Sequence, residues 1–139
     1  MRSSKSILLV EDDTLDAMTV KRALNDINVK NELVHVKNGE QAIEYLESNT
    51  NNLPCIILLD LNMPIMNGRE FLKERLKYDK FVTIPVVVLT TSKDDEDKLE
   101  SFRLSISGYM AKPVDYNQFV EVIKTINMYW TISEVVTEH

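Results

Sequence analysis

The chain has 139 residues, 44% of them hydrophobic and 27% charged, with 3 Gly and 4 Pro. That length suits a single core of about 100–150 residues, and the composition is neither that of a disordered chain nor that of a fibre. Asp and Glu (22) outnumber Lys and Arg (16), and the net charge of -6 argues against nucleic acid or an anionic membrane as partner, since neither would gain counterion release or surface attraction.

Ile7-Leu8-Leu9-Val10 is a short unbroken apolar run, the pattern of a strand buried on both faces. Ala17, Val20, Leu24 and Ile27 then recur at spacings of three and four, which predicts an amphipathic helix. Leu33-Val34-His35-Val36 predicts a second, weaker strand. Asn38 with Gln41 three residues on reads as a capping box that opens a helix carrying Ala42, Ile43 and Leu46. A loop over Ser48 to Asn52 leads to the third strand, Ile56-Ile57-Leu58-Leu59. Phe71, Leu72 and Leu76 form the stripe of the third helix, and Asp79 to Thr83 reads as a loop before the fourth strand, Val86-Val87-Val88-Leu89. Ser92-x-x-Asp95 and the acids from Asp94 to Asp97 mark the start of a fourth helix, where the dipole favours negative charge. Its apolar stripe holds Leu99 and Phe102, and its charge run is a solvated face. Tyr109-Met110-Ala111 is the fifth strand, closed by Pro113. Asp115-x-x-Gln118 opens the last helix, with Phe119, Val122, Ile123, Ile126 and Trp130 on one face, and residues 131–139 read as a short tail.

Strand followed by helix, five times over, predicts an α/β fold with a five-stranded parallel sheet, doubly wound, with helices on both faces. The expected organisation is one domain over 1–139, with a core over about 6–130 and no effector domain. The single Cys55 rules out an internal disulfide or a Cys-rich zinc site and reads as a small core residue at a strand start. No apolar run approaches the ~18 residues needed to span a bilayer. Only four apolar residues follow Met1-Arg2-Ser3-Ser4-Lys5, too few for a signal peptide, so the expected location is cytoplasmic.

In such a sheet, ligands bind beyond the carboxyl ends of the strands. Glu11, Asp12 and Asp13 follow the first strand and Asp60 the third, with Leu61-Asn62-Met63-Pro64 after it. Thr90 follows the fourth, and Lys112 the fifth. Carboxylates brought together need a cation or raised pKa values, and oxygen ligands without His or Cys point to Mg²⁺. An Asp beside Mg²⁺ can act as a nucleophile toward a phosphoryl group, whose oxygens Lys112 and the Thr90 hydroxyl would then balance.

Val10-Glu11-Asp12-Asp13, Leu59-Asp60-Leu61-Asn62-Met63-Pro64 with Gly68, Leu89-Thr90, and Tyr109-x-x-Lys112-Pro113 together resemble the response-regulator receiver domain of two-component signalling. The likeness runs from about Ser6 to Tyr129. It implies the flavodoxin-like strand order 2-1-3-4-5. It implies Asp60 as phosphoacceptor, charged by a sensor histidine kinase or a phosphotransfer protein. Mg²⁺ would be bound by Asp12, by Glu11 through a water, by Asp60 and by the backbone carbonyl of Asn62. Lys112 would pair with Asp60 and then with the phosphoryl group, beside a cis bond to Pro113. Thr90 and Tyr109 would act as the switch, remodelling the face of the fourth helix, fifth strand and last helix for a downstream protein or a second copy of the chain. The sequence departs from the common pattern at Glu11, where Asp is commoner, at Thr91, bulkier than the usual residue, and at Ser105, where many relatives carry Gly. The connection from Tyr78 to Pro85 and the Tyr129-Trp130 ending resemble a subgroup that includes partners of bacterial phytochrome kinases.

Three other readings are weighed with this one. A Mg²⁺-dependent phosphatase working through an aspartyl phosphate usually carries its nucleophile after the first strand, and a nucleotide or flavin binder needs a phosphate loop there, where Glu11-Asp12-Asp13 would repel it. A docking-only receiver would not need the complete set of acids, Thr90 and Lys112. Asp13 reads as a helix cap or a solvated residue, not a ligand, and His35 and His139 stand too far apart in sequence to suggest a metal site.

Overall fold

The computed structural model describes residues 5–26, 31–61, 63, 65–90 and 106–111, with the single positions 117 and 121. In chain order the elements are β1 (Ile7–Val10), α1 (Thr14–Asp26), β2 (Leu33–Val36), α2 (Gly39–Ser48), β3 (Ile56–Asp60), α3 (Gly68–Arg75), α4 (Asp79–Val82), β4 (Val86–Thr90) and β5 (Gly108–Ala111). All strand pairs are parallel and the sheet order is β2-β1-β3-β4-β5. The predicted doubly wound order is thus observed. The stripes of Ile27, of Leu99 with Phe102, and of Phe119 to Trp130 lie outside the described residues, as do the caps at Ser92 and Asp115 and the tail.

Alternate residues of a strand face opposite sides of the sheet, so β1, β3 and β4 each feed two cores. Leu8, Val10, Ile57, Leu59, Val86 and Val88 pack with Ala42 and Leu46 of α2 and Phe71 and Leu72 of α3. Ile7, Leu9, Ile56, Leu58, Val87 and Leu89 pack with Ala17, Val20 and Leu24 of α1. Burial on both faces explains the unbroken apolar runs of β1, β3 and β4. β2 departs from that pattern: it is an edge strand, its other residues are only partly buried and His35 is exposed.

Three local expectations are corrected. Gln41 does not close a capping box on Asn38: the Asn38 side chain accepts from the Gln41 amide, but Gln41 Oε1 accepts from the Lys37 amide at 2.8 Å, one residue further back. The closed box stands instead at α3, where Asn67 accepts from the Glu70 amide at 2.9 Å and Glu70 accepts from the Asn67 amide at 3.1 Å. Leu76 is no core residue, since α3 ends at Arg75 and Leu76 is 42% exposed. Arg75, four residues after Phe71, is buried in its place and donates to the Val82 carbonyl at 3.3 Å. Burial disfavours the charged guanidinium and lowers its pKa. Finally, residues 79–82 of the expected loop form the short helix α4, anchored by the buried Phe81, whose ring lies 4.6 Å from that of Tyr78. Cys55 is half-buried just before β3, with Sγ near the Ser6 carbonyl. Among the described residues, no helix is long and apolar enough to cross a membrane.

Candidate functional site

β1 and β3 are neighbours, paired so that Val10 stands beside Leu59. One step further along both strands brings Glu11 beside Asp60, at the edge where the chain turns back into helices. Strand spacing of about 4.8 Å then sets the carboxylates within reach of each other. One carboxylate oxygen from each of Glu11, Asp12 and Asp60 lies within 4.8 Å of the other two. Glu11 is fully buried and Asp60 is 4% exposed, whereas Asp12 is open to solvent.

The backbone places these side chains firmly. The Glu11 amide donates to the Val36 carbonyl at 3.0 Å, continuing the β1–β2 ladder one residue past β1. Glu11 Oε2 accepts from the Asp13 amide at 3.2 Å. Asp13 itself turns to the helix, its Oδ1 accepting from the Asp16 amide at 3.0 Å, so it caps α1. Behind Asp60, the Gly68 amide donates to the Leu61 carbonyl at 3.0 Å. A Cβ at Gly68 would stand 2.5 Å from the Asp60 carbonyl oxygen and 2.6 Å from Leu61 Cα. Only glycine lets α3 begin this close to the end of β3.

Unit charges 4.8 Å apart repel by roughly 3–4 kcal/mol at an effective dielectric of 20. Two of the three carboxylates are shielded from water, so the cluster calls for a cation or for protons. The donor set is all carboxylate oxygen, which fits a hard ion such as Mg²⁺ or Mn²⁺ and not a thiolate- or imidazole-seeking one.

Other predicted site residues are placed in part. Thr90 ends β4 and pairs with Ala111 in register, while Asp60 pairs with Leu89, so the Thr90 backbone reaches the same edge of the sheet. Tyr109 lies in β5 beside Val88. The side chains of Thr90 and Tyr109 lie outside what is described, and Asn62, Lys112, Pro113, Thr91 and Ser105 lie outside the described residues. Two features carry no signal that the pattern of hydropathy could reveal. His35 Nε2 stands 2.6 Å from the Glu11 carbonyl oxygen. Ile65 and Met66, between β3 and α3, both adopt positive φ, 47° and 54°.

A doubly wound sheet whose first and third strands end in facing carboxylates defines a class of protein in which an acidic edge receives a hard cation. The family model of the response regulator receiver domain matches residues 7–124, and the chain belongs to that family. It is a phosphorylation-dependent signalling switch, of a family that binds a divalent metal and accepts phosphoryl groups from histidine kinases. Response regulator Rcp1 of a Synechocystis species is 35% identical over 130 residues, covering 91% of this chain and 88% of its own. The phosphorylated cyanobacterial phytochrome response regulator RcpA superposes with a TM-score of 0.77 at 36% identity, covering 93% of this chain and 95% of its own. The Mn²⁺-bound form of Rcp1 superposes with a TM-score of 0.75 at 36% identity, covering 91% and 94%.

Proposed function

We propose that this chain takes a phosphoryl group onto Asp60 from a histidine kinase or phosphotransfer protein and signals by protein contact. The convergence of Glu11, Asp12 and Asp60 carries this reading. Asp12 would hold Mg²⁺ directly, Glu11 through a water, and Asp60 and the Asn62 backbone carbonyl would complete the set. Bound Mg²⁺ supplies countercharge to the carboxylates and to the phosphoryl oxygens. An Asp60 carboxylate oxygen attacks phosphorus in line. The new O–P bond forms as the donor's N–P bond breaks, and the electron pair returns to the donor imidazole. Lys112 would pair with Asp60 before transfer and with a phosphoryl oxygen after it.

Thr90 donates its hydroxyl to the phosphoryl group, and Tyr109 moves with it. The output face is then the surface of β5, the predicted helix around Leu99 and the last predicted helix. The chain catalyses only its own phosphorylation and dephosphorylation, as one cytoplasmic domain over 1–139. The likeness to RcpA supports a phytochrome-type kinase as donor.

The test is incubation with Mg²⁺ and a small phosphodonor. The wild-type chain gains one phosphoryl mass and Asp60→Asn gains none; labelling retained in Asp60→Asn would reject the assignment.

A further inference from the structure

A carbonyl oxygen only accepts, so the 2.6 Å contact between His35 Nε2 and the Glu11 oxygen requires Nε2 to carry the proton and donate. His35 is the register partner of Leu9. Its side chain therefore reaches along the sheet edge, past Val10, to the peptide group that joins Glu11 to Asp12. The same residue is tied on its other side, where the Glu11 amide donates to Val36.

The Glu11 carbonyl and the Asp12 amide form one rigid plane. The Glu11 amide is held by Val36, and Glu11 Oε2 accepts from the Asp13 amide. A donor on the Glu11 carbonyl oxygen adds a restraint on the plane between them. It thereby helps set the direction in which Asp12 leaves the backbone and the position of Glu11 beside Asp60. These are two of the three acids of the cluster.

We propose that His35 is a positioning residue for the divalent-metal site, its Nε2–H bond to the Glu11 carbonyl holding the Glu11–Asp12 peptide in the orientation that aims both carboxylates at the ion. The proposal rests on the reading of the acidic cluster as a metal site. His35 touches neither ion nor phosphoryl group in it, and acts only through the backbone. Such supporting bonds around ligands commonly matter to affinity.

Two variants test it. His35→Gln keeps a donor nitrogen at similar reach, whereas His35→Leu keeps bulk without a donor. The first readout needs no metal: the carbonyl ¹³C resonance of Glu11 and the amide ¹⁵N of Asp12 in the metal-free chain. The second is Mg²⁺ titration. His35→Leu is expected to shift both resonances and weaken Mg²⁺ about fivefold, the scale of one net hydrogen bond, while His35→Gln stays near wild type. Wild-type affinity and resonances in His35→Leu, or equal losses in both variants, overturn the positioning role. Should His35→Leu not fold, a shifted Glu11 resonance with weakened binding in His35→Gln also overturns it, and retention of both supports it. A wild-type chain that binds no Mg²⁺ overturns the metal reading itself, and the positioning role with it.

Discussion

The Gly39 amide donates to the Met66 carbonyl oxygen over 2.9 Å, joining the first residue of α2 to the turn between β3 and α3. A Cβ at Gly39 would stand 2.5 Å from that same oxygen and 2.8 Å from Met66 Cγ. Gly39→Ala is therefore expected to destabilise the fold by about 2 kcal/mol, the middle of the range for overpacking. Urea denaturation checks it, and an unchanged midpoint contradicts the close approach.

Gly68→Ala meets backbone at Asp60 and Leu61, which cannot rotate away as a side chain can. Beyond its cost in stability, it is expected to displace Asp60 and weaken Mg²⁺ binding by about tenfold, as changes in the support of a ligand do. Calorimetric titration reads this. Stability lost with full affinity retained would show that α3 gives way and Asp60 does not.

Charge repulsion within the acidic cluster predicts a trade between stability and binding. Asp12→Asn removes one of three neighbouring charges. Asp12 is exposed, so solvent screening leaves an expected gain of about 1 kcal/mol in the metal-free chain. The same variant is expected to lose the rise in melting temperature expected of the wild type with Mg²⁺, because ligand stabilisation follows affinity. Thermal melts with and without Mg²⁺ decide it; an Asp13→Asn variant that behaves identically would contradict the distinct roles of the two residues.

Ile65 is 65% exposed and holds φ at 47°, a conformation that branched side chains resist. Asn tolerates it, so Ile65→Asn is expected to stabilise the chain by about 1 kcal/mol with little burial to lose. Equilibrium denaturation measures the gain, and destabilisation would show that the side chain makes contacts worth more than the strain.

Tyr78 donates its hydroxyl to Glu47 at 2.8 Å. That bond, with burial and the negative charges of Glu47 and Glu74, raises the phenol's pKa. The fold thus favours the neutral phenol. Its contribution is complete below the unfolded pKa of about 10 and fades as pH rises from there through the raised folded value. The stability advantage of wild type over Tyr78→Phe should be constant from neutral pH to about 10 and shrink above it. A difference that stays flat into strong alkali would contradict this.

Much of this architecture could be read from residue order. Unbroken apolar runs such as Ile7 to Val10 and Val86 to Leu89 announce strands covered on both sides, because only burial on both faces removes the need for alternation. The stripe of Ala17, Val20 and Leu24 announces the helix that covers one of those faces. Local rules were weaker where two solutions compete. Leu76 and Arg75 both fall near the stripe of α3, and the choice of Arg75 depends on a carbonyl of Val82 that only the packed chain supplies. Gln41 satisfies Lys37 where it could have satisfied Asn38, a difference of one residue in reach.

The chemistry divides in the same way. Residue types and their places after strands determined that Glu11, Asp12 and Asp60 are candidates for one site, since every strand of a parallel sheet delivers its carboxyl end to the same edge. Only the tertiary structure decided that Glu11 and Asp60 are shielded while Asp12 is open, and that His35 bonds the Glu11 carbonyl. Those outcomes depend on register between β1, β2 and β3, a relation among segments far apart along the chain, which no local periodicity contains.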